Sequence, residues 1–99
     1  MGRGRNTDST GKPYDPQTIS DVWNKGLPIQ GFPESEWRRD ACGWVIRRSA
    51  YADTGSPHGW EIDHYKPVAR GGRDELVNLR PLHWRMNYEK GDSFPWTCP

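Results

Sequence analysis

The sequence predicts a small single-domain α+β fold, and three observations lead there. An Asp-Pro pair at residues 15 and 16 opens an apolar stripe with helical spacing. Two short segments, Trp60–His64 and residues 78–81, carry strand-like patterns on either side of a polar, Gly-containing loop. A helical segment, residues 83–90, follows at once and meets Gly91. Together the last three make a strand–loop–strand–helix, or ββα, unit. A chain of 99 residues has room for one such domain.

The elements follow in order. Residues 1–15 mix Gly, Arg, Ser, Thr, Asn and Asp without periodicity and read as a disordered basic arm, in which Arg3, Arg5 and Lys12 stand against one Asp up to Lys12. The folded domain is expected over residues 16–99. Asp15 is placed as an N-cap and Pro16 as the first helical residue. Ile19, Val22 and Trp23 form the buried stripe of a helix expected to run to Lys25, with Gly26 as its stop. Gly31-Phe32-Pro33 is a loop. Residues 37–51 read as a β-hairpin: Asp40-Ala41-Cys42-Gly43 is the turn, and Trp44, Val45, Ile46 and Tyr51 favour strands. Residues 52–58 are loop chemistry throughout. In Trp60–His64, Trp60 and Ile62 alternate with Glu61 and Asp63. Gly71 and Gly72 suit a turn that needs positive φ. The tail after Asp92 is irregular, with Phe94 and Trp96 folding back on the body. Trp60 and Trp84 are core candidates.

Composition narrows the function. Only 32% of residues are apolar and 27% are charged, yet six tryptophans and four tyrosines are present. The core is therefore expected to be thin and aromatic, since each such ring can bury roughly 150–250 Å². The net charge of +1 makes no global case for a nucleic-acid partner. Local clusters do: Arg38, Arg39, Arg47 and Arg48 lie close together. Lys66, Arg70, Arg73, Arg80 and Arg85 are further phosphate candidates, interspersed with Glu61, Asp74, Glu75 and Glu89. Cys42 and Cys98 form no C-x-x-C pair, so no structural zinc site is written here. Reduced thiols and a cytoplasmic location are the expectation. No apolar run has the ~18–20 residues a membrane span needs.

The chemistry concentrates in Gly59-Trp60-Glu61-Ile62-Asp63-His64-Tyr65-Lys66-Pro67-Val68, then Gly71-Gly72, Asn78-Leu79 and Asn87-Tyr88-Glu89-Lys90-Gly91-Asp92. A carboxylate stands beside an imidazole, and two carboxamides follow. Imidazole accepts a proton near neutral pH. A carboxylate and an amide carbonyl are hard oxygen ligands that suit one Mg²⁺ or Mn²⁺ completed by waters and phosphate oxygens. Adjacent strand residues point to opposite faces. Asp63 and His64 are expected to escape that constraint at the strand's end and approach one site. His83, Asn87 and Lys90 share a helix face by their spacing.

In these residues the chain resembles the HNH endonuclease family, the ββα-metal or His-Me finger nucleases, as a small stand-alone member. The pattern is I-D-H-x-x-P, G-G, N-L and N-x-x-K-G-D, in order, over residues 59–92. Fourteen residues separate His64 from Asn78 and nine separate Asn78 from Asn87. The hairpin before the motif is also similar to that of small relatives. The resemblance implies a metal-dependent DNA endonuclease, nicking or cutting both strands, that leaves 5′-phosphate and 3′-hydroxyl ends. It implies His64 as general base, Asn78 as the brace of the loop, Asp63 and Asn87 as metal ligands and Lys90 as a phosphate contact. His83 either reaches the site or, the plainer reading, caps the helix. Arg85 and the four upstream arginines are the remaining DNA-contact candidates. The implied cofactor is one divalent ion, Mg²⁺ or Mn²⁺ ahead of Ni²⁺ or Zn²⁺. The expected state is a monomer or weak homodimer acting on DNA. A catalytically silent binding module, or a subunit active only within a phage packaging or restriction assembly, are the alternatives. The Cys pairs that hold a structural zinc in many relatives are absent, and Tyr65 replaces the more usual Ile or Val after the histidine.

Overall fold

The computed structural model describes residues 6–99. Helix α1 spans Pro16–Trp23. A three-stranded antiparallel sheet follows, in order β1 (Leu27–Pro28), β2 (Trp37–Arg39) and β3 (Val45–Arg47). Strands β4 (Trp60–His64) and β5 (Leu79–His83) pair antiparallel as a second sheet, and helix α2 (Trp84–Lys90) runs on directly from β5. The predicted α+β class and the ββα order are both present.

Local chemistry explains most boundaries. The Asp15 carboxylate accepts the Thr18 N–H at 2.8 Å and caps α1. The helix stops at Trp23 with Asn24 as its C-cap, two residues short of the expected Lys25. Gly26 has a different task from the stop assigned to it. It is buried, and a methyl there would lie 3.0 Å from Arg38 Cδ. The hairpin turn forms around Asp40, whose Oδ1 accepts the Cys42 and Trp44 N–H groups. Strand β1 was not anticipated. Two residues carry no periodicity, and only pairing of Leu27 and Pro28 with Arg39 and Arg38 makes them a strand.

The core is thin and aromatic, as composition implies. Val22, Trp23, Ile46, Trp60, Ile62 and Leu79 are its buried members, and Tyr14, Ile19 and Tyr51 pack against them. The Trp60 ring lies 5.2 Å from that of Trp23 and 4.9 Å from that of Tyr51. One face of β4 therefore sits on α1 and the hairpin. The other face, carrying Glu61 and Asp63, is covered by α2, so all five residues of β4 are buried. The alternation expected for a half-exposed strand is present in chemistry but not in exposure.

Two further expectations change. Residues 6–15 were expected as a free arm but are tied to the body. Asn6 Oδ1 accepts the Ile62 N–H at 2.7 Å, and the Ser9 hydroxyl donates to Asp74 at 2.5 Å. These are long-range side-chain bonds, which local composition does not disclose. Residues 1–5 of that arm lie outside the described residues. The cysteines, expected reduced, form a Cys42–Cys98 disulfide that ties the tail to the hairpin turn. It links positions 56 residues apart. Loop-closure entropy makes such a link worth about 2–4 kcal/mol. Urea unfolding of the Cys42→Ser/Cys98→Ser double variant should show a loss of that size, and an unchanged midpoint would contradict it.

Candidate active site

The loop between β4 and β5 is built to hold its ends together. Gly71 takes φ +91° after a single 3-10 turn, Val68–Arg70. Gly72 was expected to share the positive φ, but it is needed for a close approach instead. A Cβ on it would fall 1.7 Å from the Lys66 carbonyl oxygen, so no side chain fits. Asn78 then clamps the loop. Its Nδ2 donates to the Lys66 and Arg73 carbonyls at 3.1 and 2.9 Å, and its Oδ1 accepts the Lys66 N–H at 2.8 Å. From α1's end, the Lys25 ammonium donates to the carbonyls of Leu76 and Leu79 on either side of Asn78. Burial, and then the positive charge of Arg80, lower the Lys25 pKa below its usual range.

Asp63 faces α2. Its Oδ2 accepts from Arg80 Nε at 2.8 Å, across the strand pair, and its Oδ1 lies 3.1 Å from Lys90 Nζ. Carboxylate and ammonium are each nearly sealed, at 4% and 2% side-chain exposure. Lys90 Nζ also donates to the His64 carbonyl at 2.9 Å. One turn earlier on α2, Asn87 Nδ2 donates to Glu61 Oε1 at 2.9 Å. Glu61 and Asp63 stand two residues apart on one strand, hence on the same face.

His64 faces the other way. Its ring is buried, with Nε2 at 2.8 Å from Asp74 Oδ1 and 3.4 Å from the Tyr14 hydroxyl. This corrects the expectation that Asp63 and His64 converge. β4 stays regular through its last residue, where His64 pairs with Leu79, so alternation sends the carboxylate and the imidazole to opposite faces. Asp74 completes a short chain of contacts. The Ser9 N–H and hydroxyl donate to its two oxygens, and His64 meets one of them. Partial burial pulls the Asp74 pKa upward, but the bonds from His64 and Ser9 outweigh it and hold the group below its ordinary 3.8.

The remaining candidates divide by burial. His83 is buried between the Trp44 and Trp84 rings, and its Nδ1 accepts the Arg85 N–H as the cap of α2. Its other nitrogen lies 2.8 Å from the Pro57 carbonyl, so it caps rather than reaching a phosphate. Arg38 is buried and donates to the carbonyls of Asn24, Gly26 and Glu34, a structural bracket in place of a DNA contact. Lys90 is likewise removed from the surface by its pairing with Asp63. Arg47 stacks on Trp37 and pairs with Glu36, while Arg48 lies over Trp60. Arg39 and Arg85 are exposed.

Sequence reasoning passed over Glu61, Asp74, Arg80 and Tyr14 as site members. Arg80 is a phosphate candidate in the sequence, and Glu61 and Asp74 are acids interspersed among such candidates. A buried, alternating strand makes Glu61 and Asp63 neighbours, and that periodicity was a usable signal for Glu61. Nothing local points Asp74 or Tyr14 at His64.

Asp63, Glu61 and the Asn87 amide are all oxygen donors, and Asp63 already draws two cationic groups. That donor set fits a hard divalent ion in kind. Among the described residues, no three His, Cys, Asp or Glu side chains cluster as a ready cage.

The structure thus holds a ββα unit with a buried acid beside α2 and, on the next residue, a braced imidazole on the opposite face of the strand. The HNH endonuclease family model matches residues 40–93, over half the chain, and the chain belongs to that family. No curated protein and no solved structure matches it. Membership implies a ββα-metal motif, a nucleic-acid substrate and, as a rule, a divalent metal. Among the described residues, no helix is long and apolar enough to cross a membrane.

Proposed function

We propose that this protein is a metal-dependent DNA endonuclease that hydrolyses phosphodiester bonds. The family match over residues 40–93 carries the reading, because it includes Asp63, His64, Asn78 and Asn87 in order. Asp63 on β4 and Asn87 on α2 would hold the cation. When bound, the cation neutralises phosphate charge and steadies the leaving oxygen. His64 takes a proton from water as the water oxygen attacks phosphorus. The P–O3′ bond breaks, the alkoxide takes a proton from solvent, and 5′-phosphate and 3′-hydroxyl ends result. Asn78 keeps the loop after His64 in register. Glu61 takes up the Asn87 N–H, so the amide oxygen is the atom that would serve as a ligand. Arg80 and Lys90 balance the Asp63 charge. Exposed Arg39 and Arg85 supply backbone contacts that do not depend on sequence.

One observation favours a second reading. Both Asp63 oxygens are already engaged, and the imidazole lies on the far face of the strand. A binding module that has kept the fold without the chemistry would have that arrangement. Supercoiled plasmid separates the two. Nicking or linearisation with Mg²⁺ or Mn²⁺, abolished by EDTA, supports the nuclease. DNA retained on the protein, with no cleavage under Mg²⁺, Mn²⁺, Ni²⁺ or Zn²⁺, supports the module.

A further inference from the structure

The first residue after β4 carries an aromatic ring that the core does not use. Tyr65 is half exposed, although its backbone is pinned: its N–H donates to the Asn78 carbonyl at 2.8 Å. Two groups prop the ring. The Arg80 guanidinium lies over it, 4.9 Å from its centroid, and the Phe94 ring meets it at 5.8 Å, nearly perpendicular. Arg80 is itself fixed, since its Nε donates to Asp63 at 2.8 Å. Its Nη2 is buried and has no hydrogen-bond partner among the described residues, so the electron-rich face of the ring is what meets its charge. One guanidinium therefore separates Tyr65 from the candidate cation ligand. Asp63 and Arg80 pair across β4 and β5, so the ring adjoins the Asp63 side of the sheet and not the His64 side.

The surroundings suit one strand of a nucleic acid. Lys66 and Arg70, both exposed, follow Tyr65 in the loop, and Arg70 reaches the tail by donating to the Asp92 carbonyl at 3.3 Å. Loop and tail thus form one surface that carries a ring and two cations. Phosphates meet cations and bases meet rings, which is the combination that holds single strands. Paired bases keep their faces inside the duplex, so a ring on the protein surface stacks only on a base that is unpaired or turned out. We propose that Tyr65, propped by Arg80 and Phe94, is a stacking platform for an unpaired base on the Asp63 side of the site, and that single-stranded or locally unpaired DNA is preferred over perfect duplex. The choice of DNA rests on the nuclease reading above; the stacking does not. Every base has a flat π face, so the platform selects unpaired structure and not sequence.

The test uses the full chain in EDTA, so that no strand is cut, at one fixed salt concentration. The wild type should bind a labelled single strand, or a duplex with a short unpaired bulge, more tightly than the perfect duplex of the same sequence. Tyr65→Leu keeps apolar bulk beside Arg80 but has no π face. It should weaken single-strand binding about fivefold to a hundredfold, the loss that goes with one stacked base. Tyr65→Phe should bind as the wild type does. A single strand carrying 5-iodouracil, irradiated in its complex with the wild type, should crosslink to Tyr65, as mapped by peptide mass spectrometry. The crosslink needs no variant, so the proposal stays testable should Tyr65→Leu unfold. Equal binding of single strand and duplex, wild-type binding by Tyr65→Leu, or crosslinks that fall elsewhere overturn the platform. A matched RNA strand bound more tightly than the DNA strand overturns the choice of DNA. Plasmid cleavage with Mg²⁺ or Mn²⁺ is read separately. No cleavage, with the crosslink at Tyr65, removes the nuclease reading and leaves the platform; cleavage without that crosslink removes the platform alone.

Discussion

Replacing His64 with Ala is expected to slow plasmid cleavage by at least about 10²-fold, the scale of losing a general base. The geometry sharpens the expectation beyond a loss of rate. Asp63 and Asn87 lie on the α2 side of β4, and the ring lies on the other side. Metal binding should therefore survive the substitution, so isothermal titration with Mn²⁺ should give the wild-type affinity while turnover collapses. The side chain is 2% exposed, and its removal leaves a ring-shaped hollow beside Asp74 and Tyr14. Added imidazole should enter that hollow and restore part of the rate. Cleavage by His64→Ala at the wild-type rate would show that another group activates the water.

The second large effect is on stability. Lys90 is buried at 2% exposure, with its ammonium shared between Asp63 and the His64 carbonyl. Methionine preserves the length of the stem and removes the charge. Breaking a buried pair from one side typically costs about 3–5 kcal/mol, because the partner stays desolvated and uncompensated. Arg80 remains on Asp63 Oδ2, so Lys90→Met is expected at the lower end of that range in urea unfolding. A divalent ion held by Asp63 should replace part of the missing charge. Mg²⁺ should then stabilise Lys90→Met by more than it stabilises the wild type, through binding to the folded state alone. Equal stability of the two proteins would show that the buried pair contributes nothing net. An equal response to Mg²⁺ would remove Asp63 from the metal site.

How much of this was legible in the chain depends on the range of the interaction. The Asp15 cap, the Asp40 turn, β4, β5 and the stop of α2 at Gly91 each arise from a few consecutive residues. Reading them needs only local propensity and period. Strand β1 has two residues, and its existence is a property of β2. The segment before α1 looked free because its composition is polar. Asn6 and Ser9 nevertheless find partners in β4 and in the loop after it. Cys42 and Cys98 were read by redox habit, whereas their pairing depends on where the tail returns.

The order of the motif was visible because a family pattern is itself a sequence property. The amino-acid sequence by itself determined the α+β class, the ββα unit and the family. It also placed an acid, a base and two amides at stated positions. Only the tertiary structure decided which way those groups point and what each one meets. It put Asp63 against Arg80 and Lys90, and His64 against Asp74 and Tyr14, on opposite faces of one strand. The reason is physical. Periodicity is set by backbone geometry between neighbours, whereas the partner of a buried charge is whatever the fold brings within about 3 Å of it, from any distance along the chain.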